Sequence, residues 1–93
     1  MSVIVRKYPG KKAQEIYEAV DGVMERLTVK MGLNYEKDPG TRAGTVSKMG
    51  ICGRYLAKEG EVTVDLHFPM LLPGPMKRRV QENIERRLDA LFV

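Results

Sequence analysis

Apolar and polar residues alternate most clearly in the second half of the chain. Every second residue there is apolar: Val62, Val64, Leu66 and Phe68. This period of two is typical of a half-buried β-strand. Shorter alternating or β-branched segments predict further strands at residues 2–7, 33–37, 42–48 and 51–58. Turn sequences separate most of them, at Asp38–Gly40, Met49–Gly50 and Glu59–Gly60.

Apolar residues recur at three- and four-residue steps in two other segments, which predicts two amphipathic helices. The first helix runs from near Lys11 to Met31, and Gly32 follows it as a left-handed cap. Its apolar stripe is Ala13, Ile16, Val20, Val23, Leu27 and Met31. The second helix runs from about Pro75 to Phe92. Its stripe is Met76, Val80, Ile84, Leu88 and Leu91.

The predicted element order is β-α-β-β-β-β-α. Two helices on one face of an antiparallel sheet would bury every apolar stripe. A chain of 93 residues is too short for two independent cores. We therefore predict a single α+β domain over residues 1–93. It is a two-layer sandwich of two helices on one face of an antiparallel sheet of about four to five strands. The other sheet face should be polar or covered by another chain.

The composition is that of a soluble globular protein, with 43% hydrophobic and 30% charged residues. No apolar run approaches the roughly 20 residues that span a bilayer, and the first residues lack the apolar core of a signal peptide. A single cysteine, Cys52, cannot form an internal disulfide. These features predict a cytoplasmic protein without a transmembrane segment. The net charge of +4 is too small and too dispersed to predict a nucleic-acid partner.

No catalytic or metal-binding constellation is visible in the sequence. His67 is the only histidine, and neither Cys52 nor Ser47 has the context of an activated nucleophile. A metal site needs three or four ligands, and no such spacing occurs. The segment Gly50–Gly53 has the form of a GXXG loop, but it lies between strands and not between helices. We expect no enzyme activity and no catalytic, cofactor-binding or metal-binding residues.

An apolar segment with three prolines, residues 69–75, joins the last strand to the last helix and is called the connector below. Its side chains either fold back into the core or face outward as an interaction surface. A basic triplet follows at the start of the helix, where the helix dipole disfavours cations. The candidate contact residues are Phe68, Met70, Leu71, Leu72, Met76, Lys77, Arg78 and Arg79.

Four segments of the second half resemble one known family. They are Gly50-Ile51-x-Gly53, Glu61-Val62-x-Val64-Asp65-Leu66, Pro69-x-Leu71-Leu72 and Ile84-Glu85-x-x-Leu88-Asp89-x-Leu91. This pattern is similar to that of the putative polyhydroxyalkanoic acid system proteins, which are small bacterial proteins encoded with polyhydroxyalkanoate synthesis or granule genes. The connector departs from the family in its prolines.

The resemblance implies a non-enzymatic accessory protein of polyhydroxyalkanoate storage, whose partner is the granule or a granule protein. It supplies no catalytic residues. A second hypothesis is a small helix-grip-like protein that binds a hydrophobic ligand between helices and sheet. A single chain of this length is short for enclosing a ligand cavity by itself, so this alternative implies a homodimer. Nucleic-acid binding ranks last, since stacking aromatic residues and a dense basic stripe are absent.

Overall fold

The computed structural model describes residues 2–92, which form five strands and two helices in the predicted order. The elements are β1 (Ser2–Lys7), α1 (Ala13–Met31), β2 (Asn34–Asp38), β3 (Ala43–Lys48), β4 (Ile51–Lys58), β5 (Glu61–His67) and α2 (Gly74–Asp89). The predicted α+β class and strand–helix order are confirmed. Met1 and Val93, the ends of the predicted domain, lie outside the described residues.

The strands form one open antiparallel sheet in the order β1-β5-β4-β3-β2. Strands β2 to β5 follow one another as hairpins, and β1 joins the sheet beside β5, with Ile4 opposite Val64. The β3–β4 turn consists of Met49 and Gly50, which both have positive φ, at 50° and 86°. Two successive left-handed residues match the twist of a tight hairpin and explain why glycine occupies the second position.

The pleat of the sheet separates a packed face from an open face. On β5, Val62, Val64 and Leu66 are buried beneath the helices. The residues between them, such as Asp65, point to the open face. That face is mostly polar, although Leu56 and the β1 valines are partly exposed on it. Alternation along the sequence therefore corresponds to the two faces of the sheet.

Helix α1 packs along the sheet through one continuous stripe. Its buried residues are Ile16, Tyr17, Val20, Val23, Met24 and Leu27. The Lys12 backbone N–H donates to the Glu15 carboxylate at the start of the helix. Gly32 ends it with φ 68°, and its N–H donates to the Thr28 carbonyl at 2.9 Å. Each large side chain in such a stripe stabilises the fold by about 1.5–3 kcal/mol.

Helix α2 packs less closely and is held mainly at its C-terminal end. It ends at Asp89, three residues before the predicted end, and its only buried side chain among the described residues is Leu88. The Arg6 guanidinium contacts the carboxylate of Asp89 at 2.7 Å and that of Glu85 at 3.6 Å. The Tyr8 hydroxyl donates to the Leu88 carbonyl at 2.7 Å. Strand β1 thus anchors the C-terminal end of α2.

Side-chain exposure along α2 rises toward its N-terminal end. Leu88 is 1% exposed, Ile84 and Val80 are half-buried, and Met76 is 52% exposed. The N-terminal half of the helix therefore packs less closely against the core than its C-terminal end. Neither α1 nor α2 meets the length and apolarity of a membrane-spanning helix, and this holds for the whole described part of the chain.

Candidate functional site

The connector forms a turn that projects two apolar side chains into solvent. The Leu72 N–H donates to the Pro69 carbonyl at 3.1 Å, which places Met70 and Leu71 at the two central positions of the turn. Met70 is 94% exposed and Leu71 is 93% exposed. Leu72 and Phe68 are half-buried, and Phe68 packs against the core. Of these four predicted contact residues, Met70 and Leu71 are therefore exposed, whereas Leu72 and Phe68 are half-buried.

The β3–β4 turn lies directly beside the connector. A Cβ on Gly50 would lie 3.0 Å from the Pro69 ring, so the two loops are in contact. Met49, in the same turn, is 88% exposed. We call Met49, Met70 and Leu71 the apolar tip. Sequence reasoning missed Met49, since one methionine in a turn belongs to no periodic pattern. The one sign of its exposure in the sequence was its position beside the turn residue Gly50, where a side chain usually faces solvent.

The basic triplet, Lys77–Arg79, follows the connector in the sequence and lies in the first turns of α2. Arg78 and Arg79 are exposed, and Lys77 is half-buried. The first turn of the helix holds no acidic residue. Within residues 2–92, none of the three cations forms an ion pair with a carboxylate. Cations at a helix N-terminus are destabilising by about 0.3–1 kcal/mol each. Their charge therefore remains available to an anionic partner.

A second feature is an apolar cleft between α1 and α2. Its volume is about 210 Å³, and residues of both helices and of the sheet line it. Its lining residues are Met24, Leu27, Met31, Leu33, Val46, Ser47, Lys48, Met49, Ile51, Gly53, Tyr55, Val64, Leu66, Val80, Asn83, Ile84 and Arg87. Most of them are apolar. The cleft is therefore an apolar concave surface bounded by both helices and the sheet.

A hydrogen-bonded tyrosine pair lies on the sheet beside the cleft. The hydroxyls of Tyr35 and Tyr55 are 2.6 Å apart, and the Tyr35 hydroxyl also donates to the Asp21 carboxylate at 2.7 Å. Burial raises the pKa of Tyr55 to about 12, and burial also raises the pKa of Tyr35. Both hydroxyls are thus neutral near pH 7. Lys37 joins the network through ion pairs with Asp21 and Glu25.

The sheet register brings Cys52 opposite His67 on the open face. Sequence reasoning had not paired them, because cross-strand neighbours depend on register. The structure gives no hydrogen bond between the two side chains. Asp65, which lies on the same face two residues before His67, is opposite Arg54. The described residues contain no group of three potential metal ligands.

One family model matches nearly the whole chain. The family is described as putative polyhydroxyalkanoic acid system protein, and the match covers residues 5–92. The matched range includes all seven elements, apart from the first residues of β1. Comparison with curated proteins and with solved structures gave no match.

Proposed function

The chain belongs to the family of putative polyhydroxyalkanoic acid system proteins, and from this membership we propose that it is a non-enzymatic accessory protein of polyhydroxyalkanoate storage. In this proposal it acts in the cytoplasm by contact with the granule surface or with a granule protein. The observation that carries the contact mode is the exposure of Met70 and Leu71, at 94% and 93%. Large apolar side chains that stand together in solvent are typical of an interaction surface.

The energetics support a reversible contact. Burial of each exposed leucine or methionine contributes about 1.5–3 kcal/mol. Association costs at least about 4 kcal/mol in lost translational and rotational freedom, so Met70 and Leu71 alone would bind weakly. Met49 and the exposed part of Met76 extend the apolar area beside them. The three prolines of the connector restrict its backbone and reduce the entropy lost on binding.

Charge adds selectivity for an anionic surface. Arg78 and Arg79 are exposed shortly after the connector in the sequence, and the first turn of α2 holds no acidic residue. Attraction to surface charges of opposite sign weakens with salt, because the Debye length falls from about 10 Å at 0.1 M to about 3 Å at 1 M. The proposed contact therefore has an apolar part that survives salt and a basic part that does not.

Co-sedimentation with isolated polyhydroxyalkanoate granules tests the proposal. The double variant Met70→Ser/Leu71→Ser should lose most of its granule binding and keep the melting temperature of the wild type. The control is Val29→Ser, which changes a residue that is 87% exposed on α1, outside the connector. This control should bind like the wild type. Leu72→Ser should instead lower the melting temperature, because Leu72 is half-buried.

Two results would contradict the proposal. Equal granule binding by the wild type and by Met70→Ser/Leu71→Ser would show that these two side chains do not contact the granule. A large fall in the melting temperature of that variant would show that the two side chains support the fold. Arg78→Gln/Arg79→Gln should reduce binding in low salt and leave binding in 1 M salt almost unchanged, since about 3 Å of screening length leaves little attraction.

A further inference from the structure

The cleft between α1 and α2 is large enough to hold a small aliphatic molecule. Its volume is about 210 Å³. An apolar cavity of about 150 Å³ holds benzene, with its six carbons, so the cleft has room for about eight carbon atoms. Three methionines, Met24, Met31 and Met49, line it. Methionine side chains adapt their shape to irregular apolar ligands.

The charged residues of the cleft have one sign. Lys48 and Arg87 are the only charged side chains among its lining residues, and no carboxylate lines it. The Lys48 ammonium donates to the Met31 carbonyl, and the Arg87 guanidinium donates to the Asn83 side-chain oxygen at 3.2 Å. Both acceptors are neutral. Within residues 2–92, neither cation forms an ion pair. An anionic head group would supply the missing counter-charge.

We propose that this cleft binds an aliphatic carboxylate, with its chain among the apolar side chains and its carboxylate on Lys48 or Arg87. The apolar walls favour an aliphatic chain, and cations that form no ion pair with a carboxylate of the described residues favour an acid over an alcohol. A neutral Tyr55 hydroxyl, held by Tyr35, adds no negative charge to the wall.

This site is separate from the granule contact of the connector. Met70 and Leu71 do not line the cleft, so the tip variants leave it intact. Met49 is the one residue that belongs to both features. A failure of granule binding would therefore not contradict the ligand site, and a failure of ligand binding would not contradict the granule contact.

Titration calorimetry with octanoate tests the proposal. Binding should saturate with one site per chain and strengthen from butyrate to octanoate by up to about fourfold per methylene. Beyond about eight carbons the gain should level off, because further carbons lie outside the cleft. 3-Hydroxyoctanoate should bind comparably, which would relate the site to the monomers of the polyester. 1-Octanol should bind more weakly than octanoate.

Two pairs of variants locate the ligand. Val80→Trp fills the cleft from α2 and should abolish octanoate binding, whereas Val29→Trp, on an exposed position of α1, should not. If Val80→Trp does not fold, Ile51→Phe fills the cleft from the sheet. Lys48→Gln/Arg87→Gln should weaken octanoate binding by roughly five- to tenfold and leave 1-octanol binding unchanged.

The control for charge is Arg54→Gln/Lys58→Gln, which removes the same net charge from exposed residues of β4. It should bind octanoate like the wild type. The proposal is wrong if octanoate shows no saturable binding at millimolar concentration, or if Val80→Trp binds it normally. The oligomeric state gives a further test. If the wild type is a dimer that octanoate does not dissociate, and Val80→Trp is a monomer, then a second copy of the chain occupies the cleft and the proposal is wrong.

Discussion

Gly44 in β3 should not tolerate even one added methyl group. A Cβ at this position would lie 2.6 Å from Cε1 and 2.8 Å from Cζ of Tyr55, and 2.9 Å from Cε1 of Tyr35. These rings are held by the hydrogen bond between their hydroxyls, so they cannot move apart without breaking it. Gly44→Ala therefore forces a shift of the tyrosine pair or of the strand.

The cost of Gly44→Ala follows from the structure. Overpacking of a well-packed core costs about 1–3 kcal/mol. Loss of the Tyr35–Tyr55 hydrogen bond adds about 0.5–1.5 kcal/mol. The lower entropy of the unfolded alanine chain offsets about 0.4–1 kcal/mol. These terms sum to a net loss of about 0.5–4 kcal/mol, centred on about 2 kcal/mol, which lowers the melting temperature of a chain of this size by roughly 10 °C.

Urea unfolding followed by circular dichroism measures this loss, and Gly53→Ala in β4 is the matched control. A Cβ on Gly53 would lie 3.2 Å from a Leu66 methyl and 3.4 Å from a Val46 methyl. Both side chains line the cleft, which gives the two methyls room to move by a few tenths of an ångström. Gly53→Ala should therefore change stability by less than about 1 kcal/mol. If Gly44→Ala costs no more than Gly53→Ala, the rigid tyrosine pair is not the reason for glycine at position 44.

Three further tests concern the core, α2 and the tyrosines. Val64→Asp should abolish cooperative thermal unfolding, because Val64 is buried in the core; a melting temperature near that of the wild type would contradict this burial. Leu88→Ala should cost about 2–5 kcal/mol and speed trypsin cleavage at Arg86 and Arg87; unchanged cleavage would show that other contacts anchor α2. Between pH 10 and about 12, Tyr55 alone should cost up to roughly 3 kcal/mol of stability, because unfolded Tyr55 releases its proton near pH 10 while folded Tyr55, with a pKa of about 12, retains it; Tyr8, whose pKa burial also raises to about 12, adds to the loss. Tyrosinate absorbance during a pH titration measures the ionisation of the tyrosines. Ionisation of all four near pH 10 in the folded protein would refute the raised pKa of Tyr55.

Local periodicity predicted the elements of the fold well. The alternation of Val62, Val64 and Leu66 identified the packed face of β5, and the stripe from Ile16 to Leu27 identified that of α1. The turn glycines Gly50 and Gly60 correctly marked the hairpins, since both have positive φ. These features depend on residues that are close in sequence, so they could be predicted from local patterns.

The distance of α2 from the sheet could not be predicted in the same way. The stripe from Met76 to Leu91 shows which side of the helix faces the sheet, but not how closely it approaches. Closeness depends on the long-range contacts of Arg6 and Tyr8 with the end of α2. The sequence therefore suggested a ligand site between helices and sheet only as a second hypothesis, and it did not show the position or the size of the cleft. Nor could the sequence show that Leu71 is exposed while Leu72 is half-buried. That difference follows from the turn closed by the hydrogen bond from the Leu72 N–H to the Pro69 carbonyl.

The position of β1 at the far side of β5 determines when the sheet can be completed. Ser2 pairs with Leu66 and Lys7 with Glu61, whereas β2 to β5 pair as consecutive hairpins. Contacts between residues so distant in sequence form more slowly than local hairpins. During synthesis the hairpins of β2 to β5 can form first. Strand β1 stays unpaired until β5 has been made. Arg6 meets Glu85 and Asp89 only after α2 has been made, so this later helix secures β1.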